Sequence, residues 1–316
     1  VYFILGRDIP VPLPRMKYTE ALERFGSDKP DTRFGMEITD LTDVVKDCGF
    51  GVFTSAIANG GTVRCITAKS GASTFTRKEI DKLTEYVKGI GVKGLAYIRW
   101  VEDAPNCSFG KFLGEGELDK ILAAAGAEKG DVVFIIADKK NTALTSLGAL
   151  RLKCARQLNI IPEGKFNFLW ITEFPFFEWN EETQHWDAMH HPFTMPMDEC
   201  LQYLDTAPEK VFAKAYDLVL NGTELSSGSI RITDYELQQK MFESLGLTDE
   251  EIEAKFGFLV EAYKYGAAPH GGMGIGLDRL AMIMCGADSL RDVTAFPKVQ
   301  NASELMSNCP AAVDKD

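Results

Sequence analysis

The sequence predicts an α+β fold in two domains, and three observations carry that expectation. Short β-rich runs alternate with amphipathic helical patterns between residues 35 and 138. Farther along, the aromatic and β-branched run FNFLWITEFPFFEW and an Asn221-Gly222 pair set between apolar stretches announce a second sheet, the latter as a two-residue hairpin turn. The 316 residues, 45% hydrophobic and 25% charged, suffice for one large core or two smaller ones.

Arg7 to Arg15 is an extended proline-rich lead, and Thr19 to Phe25 has a short helical pattern. VFTSAI, TVRCITA, GLAYIRWV and DVVFIIAD then read as strands, with helices at Arg77 to Lys88 and Glu117 to Ala125. A helix from Thr142 to Leu158 leads to the aromatic run, a long strand near the middle of its sheet. Two helical patterns follow Asp234 and Thr248, and a glycine-rich motif runs from His270 to Cys285.

Composition excludes several classes. A formal charge of −12 argues against a broad basic face for nucleic acid, so any RNA contact is local or shared with another domain. Seven cysteines without CxxC spacing read as reduced, mostly buried thiols and point to the cytoplasm. The leading VYFILG is too short for a signal-peptide core, and no run of about 18 apolar residues suggests a membrane role.

A two-residue turn at Asn221-Gly222 pairs Leu220 with Thr223 and Val219 with Glu224. Asp217 then shares a face with Glu224, roughly 7–8 Å away by strand spacing, while Leu218, Leu220 and Leu225 are expected to bury the opposite face. Two such carboxylates repel each other, and a divalent cation bound to nucleotide phosphates would relieve the repulsion. The alternative is a solvated strand face. Strict alternation from Glu224 would send Arg231 to the wrong side, so a bulge is expected within Ser226-Ser227-Gly228-Ser229. Arg231 would then line the cleft, where a guanidinium selects a carboxylate over its neutral amide; the alternative is an ion pair with a neighbouring acid.

In HGGMGIGLDRLAMIM, backbone that glycine makes easy runs into a helix whose apolar positions are Leu277, Leu280, Ala281 and Met284. Arg279 falls in the first turn, off that stripe, where the helix terminus favours a polyanion such as a nucleotide. The motif matches neither a P-loop nor a dinucleotide fingerprint, and tight helix packing is the alternative. His190-His191 lacks a cysteine or acid at ligand spacing, so hydrogen bonding, packing or recognition of a substrate carboxylate is preferred to zinc.

AMHHPFT, NGTELSSGSIRI and GGMGIGLDRL follow in the order and approximate spacing of the bacterial-type class II aspartyl-tRNA synthetases, the last resembling motif 3. MKYTEALERFGSDKPDTRF and LGALRLKCARQL are similar to the segments that bracket that family's GAD insertion. The resemblance implies a discontinuous partial catalytic domain at 1–34 and 139–316, an antiparallel sheet flanked by helices, with a GAD domain at 35–138. It implies aspartate binding by His190, His191 and Arg231, and ATP binding by Glu224, Gly276, Leu277, Asp278 and Arg279. Asp217 and Glu224 would hold Mg2+, and Arg231, Glu224 and Arg279 would form the catalytic set.

The implied reaction is ATP-dependent activation of L-aspartate to aspartyl-adenylate, then transfer to the 3′ end of tRNA. An asparagine-handling ligase and a non-catalytic paralogue are the rival readings; the inserted module argues against the first, and intact Glu224, Arg231 and Arg279 against the second. The family's anticodon-reading OB-fold and motifs 1 and 2 have no counterpart in the sequence. The expectation is therefore a C-terminal fragment that does not complete the reaction alone, monomeric where the full-length family is homodimeric.

Overall fold

The computed structural model describes residues 5–310 apart from 102, 181, 183, 305 and 308; the first four residues of VYFILG lie outside the described residues. Its strands are β1 (Arg15–Lys17), β2 (Thr39–Asp40), β3 (Thr62–Ala68), β4 (Ala96–Arg99), β5 (Asn106–Cys107), β6 (Val132–Asp138), β7 (Phe168–Pro175), β8 (Phe177–Asn180), β9 (His185–Ala188), β10 (Phe212–Leu220), β11 (Thr223–Ile230) and β12 (Gly271–Ile275). The helices are α1 (Tyr18–Phe25), α2 (Thr42–Val45), α3 (Gly51–Ala58), α4 (Arg77–Lys88), α5 (Glu117–Ala124), α6 (Lys140–Gln157), α7 (Tyr235–Ser244), α8 (Asp249–Lys264) and α9 (Leu277–Cys285).

Two five-stranded sheets organise the chain, ordered β2-β3-β6-β4-β5 and β1-β7-β10-β11-β12. The first lies within 39–138 and is buried on both faces. Ile66, Phe134 and Ile136 pack with Leu83 and Val87 of α4 and with Leu144 and Leu147 of α6, whereas Val63, Cys65, Val133 and Ile135 pack with Phe53, Phe109 and Ile121. This double burial explains the near-continuous apolar runs of β3 and β6. VFTSAI, expected as a strand, is helix α3. Phe50, Phe53 and Ile57 recur at helical spacing, and burying Phe53 outweighs the local β propensity.

The second sheet carries the candidate site. Its pairs are antiparallel except for the short parallel contact of β1 with β7, so β7 is interior as expected and β10 is the middle strand. The aromatic run expected as one long strand breaks after Pro175, however, and β8 pairs with β9 in a separate two-stranded sheet. Asn221 and Gly222 make the turn with φ of 52° and 83°, and Leu220 pairs with Thr223 and Val219 with Glu224. The bulge lies one residue before the expected stretch: Leu218 faces Ser226 and Val219 faces Glu224, leaving Leu225 as the extra residue. Its consequence for parity is the anticipated one, because Asp217 pairs with Ser227 and Ala215 with Ser229, which puts Arg231 on their side.

The burial of this hairpin differs from expectation. Leu220 and Leu225 are buried but Leu218 is only half-buried, whereas the acidic side carries buried Val219, Asp217 and Ala215. Leu169 and Ile171 of β7 lie opposite Val219 and Asp217, so the acids sit at the margin of a core. Strand β12 pairs with β11, and Met273, Ile275 and Leu277 are substantially exposed. The apolar stripe expected on α9 is at most half-buried, since no further strand lies beyond β12 among the described residues.

Helices α7 and α8 begin where their capping residues stand. Asp234 accepts the Leu237 N–H, and Thr248 and Glu251 form a reciprocal capping box. Among the described residues no helix is long and apolar enough to cross a membrane.

Candidate active site

The loop carrying His190 and His191 is fixed from below. Phe193 meets the rings of Phe242 and Phe256 at 6.1 and 5.3 Å, and buried Gln238 donates through Nε2 to the Pro192 carbonyl at 2.9 Å. Thr194 then bridges to Arg231 across the sheet margin, and Ile232 N–H donates to Phe193 O at 2.9 Å. Two apolar anchors and a ladder contact thus hold a loop that its own sequence would leave mobile.

Among the described residues Arg231 does not pair with an acid. Its Nη1 donates to His191 Nε2 and to Ser229 Oγ, while Thr194 Oγ1 lies 3.3 Å from both His191 Nδ1 and Ser229 Oγ. The donors assign a tautomer: Arg231 can only donate, so His191 Nε2 accepts and Nδ1 carries the proton towards Thr194. Burial, then the charge of Arg231, hold His191 below its ordinary pKa and keep it neutral. The guanidinium therefore reaches the cleft without a carboxylate among the described residues to neutralise it. Thr194 and Ser229 were not singled out in the sequence, because Ser229 read only as bulge composition.

His190 takes a different position. Its ring meets Phe174 edge-on at 4.9 Å, and its Nε2 is buried without a hydrogen-bond partner. Burial lowers its pKa against the opposing effects of Glu224 and Asp28, so it too is neutral.

Glu224 and Arg279 meet at the start of α9. Arg279 Nη1 donates to the Glu224 carbonyl at 2.8 Å and lies 3.4 Å from its Oε1. Gly276 caps the helix and donates its N–H to Leu225 O at 2.7 Å, which seats the terminus on the bulge. Leu277 and Asp278 turn outward to solvent, so of this motif Gly276 and Arg279 touch the β11 backbone beside Glu224. Asp217 is 6% exposed and its Oδ1 lacks a partner. Its pKa is pushed up to about 6 from 3.8, first by burial and further by Glu224 and Asp28, against a hydrogen bond from Ser227.

The glycines of β12 act by lacking side chains. None of Gly271 to Gly276 has positive φ, contrary to the expectation of glycine-only backbone. Gly272 pairs with Ser229 and Gly274 with Ser227, on the face of Arg231 and Asp217, and a Cβ at either would project into open space. A cavity of about 310 Å3 lies over this bare strand, lined by Ser227, Arg231, His270 and Gly271 to Gly274. His270 was not among the expected site residues; its carbonyl accepts the Arg231 N–H at 3.0 Å. A larger hollow of about 580 Å3 between Asp205 and α7 contains none of these groups, so chemistry rather than volume identifies the site.

A divalent cation fits the donor set in kind: two neighbouring carboxylates, one with an unpartnered buried oxygen, beside an arginine-lined cleft. Among the described residues no group of three or more His, Cys, Asp or Glu is gathered as a metal cage. Such a site would need oxygens from a ligand to complete it.

The sequence model of the tRNA synthetases class II (D, K and N) matches residues 3–300. The chain is 58% identical over 312 residues to an aspartate–tRNA ligase of Ruminiclostridium cellulolyticum, covering 98% of this chain and 52% of that protein. It is 51% identical over 310 residues to an aspartate–tRNA(Asp/Asn) ligase of Bacillus cytotoxicus, covering 98% and 53%. To an aspartate–tRNA ligase of Clostridium perfringens it is 52% identical over 314 residues, covering 99% and 52%. The chain thus spans about half the length of the curated relatives it matches. With the mixed, largely antiparallel sheet, the bulged acidic hairpin and the glycine strand leading into Arg279, a match across nearly its whole length means that this chain belongs to the class II tRNA synthetases of the D, K and N group.

Proposed function

We propose that the chain holds the amino-acid and ATP subsites of an aspartate–tRNA ligase. The observation that carries this reading is Arg231, which reaches the cleft bound to neutral His191 and Ser229 rather than to an acid. An uncompensated guanidinium seeks an anion, and its planar fork favours the side-chain carboxylate of aspartate over the amide of asparagine. Residues 35–138 are read as the GAD insertion, and the protein as cytoplasmic.

The activation step joins an α-carboxylate oxygen of aspartate to the α-phosphorus of ATP and breaks the bond to the pyrophosphate leaving group. In the second step the terminal adenosine hydroxyl of tRNA attacks the aspartyl carbonyl and AMP departs. Neither step needs a protein nucleophile; the side chains position reactants and offset charge. Arg279 holds the nucleotide against the bare face of Gly272 and Gly274, and Arg231 with His191 orients aspartate. Magnesium held by Asp217 and Glu224 would supply neutralisation of the phosphate oxygens. The 316 residues span about half the relatives' length, so aminoacylation is proposed for a protein of that full length, and ligand binding without turnover for these 316 residues alone.

Titration calorimetry with non-hydrolysable aspartyl- and asparaginyl-adenylate analogues tests the reading. Preferential binding of the aspartyl analogue, lost in Arg231→Leu, supports it. Equal binding of both analogues, or discrimination that survives Arg231→Leu, sinks it.

A further inference from the structure

A surface helix buries positions three and four apart, and in α7 those positions are Gln238, Met241 and Phe242, all 0% exposed. Met241 and Phe242 are the apolar residues that such a stripe calls for, and Gln238 is not. The Pro192 carbonyl can only accept, so Gln238 Nε2 faces it and donates at 2.9 Å. That leaves Oε1 buried without a partner among the described residues. An amide with an unmet oxygen weakens a core that methionine would fill without such a cost. The glutamine therefore answers a need other than packing.

That need lies in the turn it touches. His191, Pro192, Phe193 and Thr194 form a turn closed by the Thr194 N–H on the His191 carbonyl at 3.2 Å, with proline at the position whose φ its ring presets. The flanks are fixed. Pro192 keeps His191 out of the helical region, Thr194 bridges to Arg231, and the Phe193 ring packs on Phe242 and Phe256, themselves stacked at 5.0 Å. One soft motion remains, rotation of the central Pro192–Phe193 peptide, which interconverts type I and type II turns and reverses the Pro192 carbonyl. Phe193 lacks the positive φ of a type II turn, and in this orientation the carbonyl meets α7, where Gln238 holds it.

We propose that Gln238 is a positioning residue: its amide latches the central peptide of this turn, and the latch sets the angle at which the His191 imidazole meets Arg231. Arg231 donates to that imidazole, so a turn free to flip would spread the guanidinium over several directions instead of one. Misplacing a reactant by about 1 Å slows a reaction roughly 100-fold. The latch stands on the turn's geometry, and its effect on aspartate rests on the reading proposed above.

Gln238→Met keeps the volume and removes the donor, which makes it the test. In the 316-residue chain carrying 15N-labelled histidine, the ring signals of His191 are expected to shift or broaden in this variant while those of exposed His185 stay in place. In ATP–pyrophosphate exchange by a protein of the relatives' length, Gln238→Met should raise the KM for aspartate roughly 10- to 100-fold and leave the KM for ATP unchanged, with a melting temperature within about 5 °C of wild type. A glutamine that serves folding alone gives the reverse, a lower melting temperature with both KM values unaltered. That result, an unmoved His191 signal, or equal weakening of aspartate and ATP overturns the proposal. Wild-type exchange that ignores aspartate would overturn the aspartate reading instead, and the His191 signal would still decide the latch.

Discussion

Arg279 reaches back across the start of α9 and donates through Nη1 to the main-chain carbonyl of Glu224, 2.8 Å away. The bond ties a helix terminus to the residue beside a strand bulge, so the acid and the arginine expected at the nucleotide keep a fixed spacing. The side chains of Arg279 and Glu224 are 45% and 31% exposed, which limits the ion pair's own effect on stability to less than about 1 kcal/mol. In a protein of the relatives' length, Arg279→Ala should therefore leave the melting temperature nearly unchanged and lower ATP–pyrophosphate exchange roughly 100-fold or more, as loss of one preorganised electrostatic contact does. Exchange within a few-fold of wild type would detach Arg279 from the nucleotide.

Arg231 is predicted to act on selection rather than on folding. Arg231→Lys keeps the charge but loses the planar fork, so affinity for aspartate should fall while discrimination against asparagine partly persists. Arg231→Leu should abolish that discrimination and leave Thr194, Ser229 and His191 bonded to each other. Calorimetry with the two amino acids separates these outcomes.

Much of this arrangement was legible in the sequence. Asn221-Gly222 fixed the register of Val219 against Glu224, and the parity of Arg231 required a bulge. Alternation could not say which residue would bulge out, because Leu225 lies where the turn, the sheet twist and the seating of Gly276 compete. The partnership of Arg231 with His191, Thr194 and Ser229 was beyond reach, since about 40 residues separate the loop from the strand and no periodicity links them. VFTSAI misled because β-branched residues also occur in short helices whose placement is decided by one buried aromatic, Phe53.

Asp217 makes stability depend on pH in a defined direction. Its folded pKa of about 6 lies above the ordinary 3.8, so the native state binds a proton that the unfolded chain has already released between those values. The favourable contribution is whole below about 3.8, declines as pH rises, and is gone above about 6, where ionised Asp217 costs on the order of 2–3 kcal/mol. Asp217→Asn should therefore stabilise the protein at pH 7 and change it little at pH 4. Urea unfolding of both proteins at the two pH values gives the comparison; a stabilisation equal at both would assign the effect to packing.

Two glycine positions offer a contrast between site and scaffold. A Cβ at Gly148 would stand 2.5 Å from Gly26 O, backbone against backbone where α1 crosses α6, so Gly148→Ala must force the helices apart. Overpacking of this kind costs about 1–3 kcal/mol, visible as a lowered urea midpoint. At Gly274 the added atom meets nothing within 4 Å, and the strand geometry suits a β-branched residue. Gly274→Val should leave the midpoint unchanged or slightly raised while filling part of the cavity beside Ser227 and Arg231. Binding of an aspartyl-adenylate analogue should then fall roughly tenfold or more, since a bulky group over the strand keeps the ligand from its hydrogen-bonding partners. Undiminished binding in Gly274→Val would mean that the ligand does not lie over β12, and would return the glycines of this strand to a purely structural role.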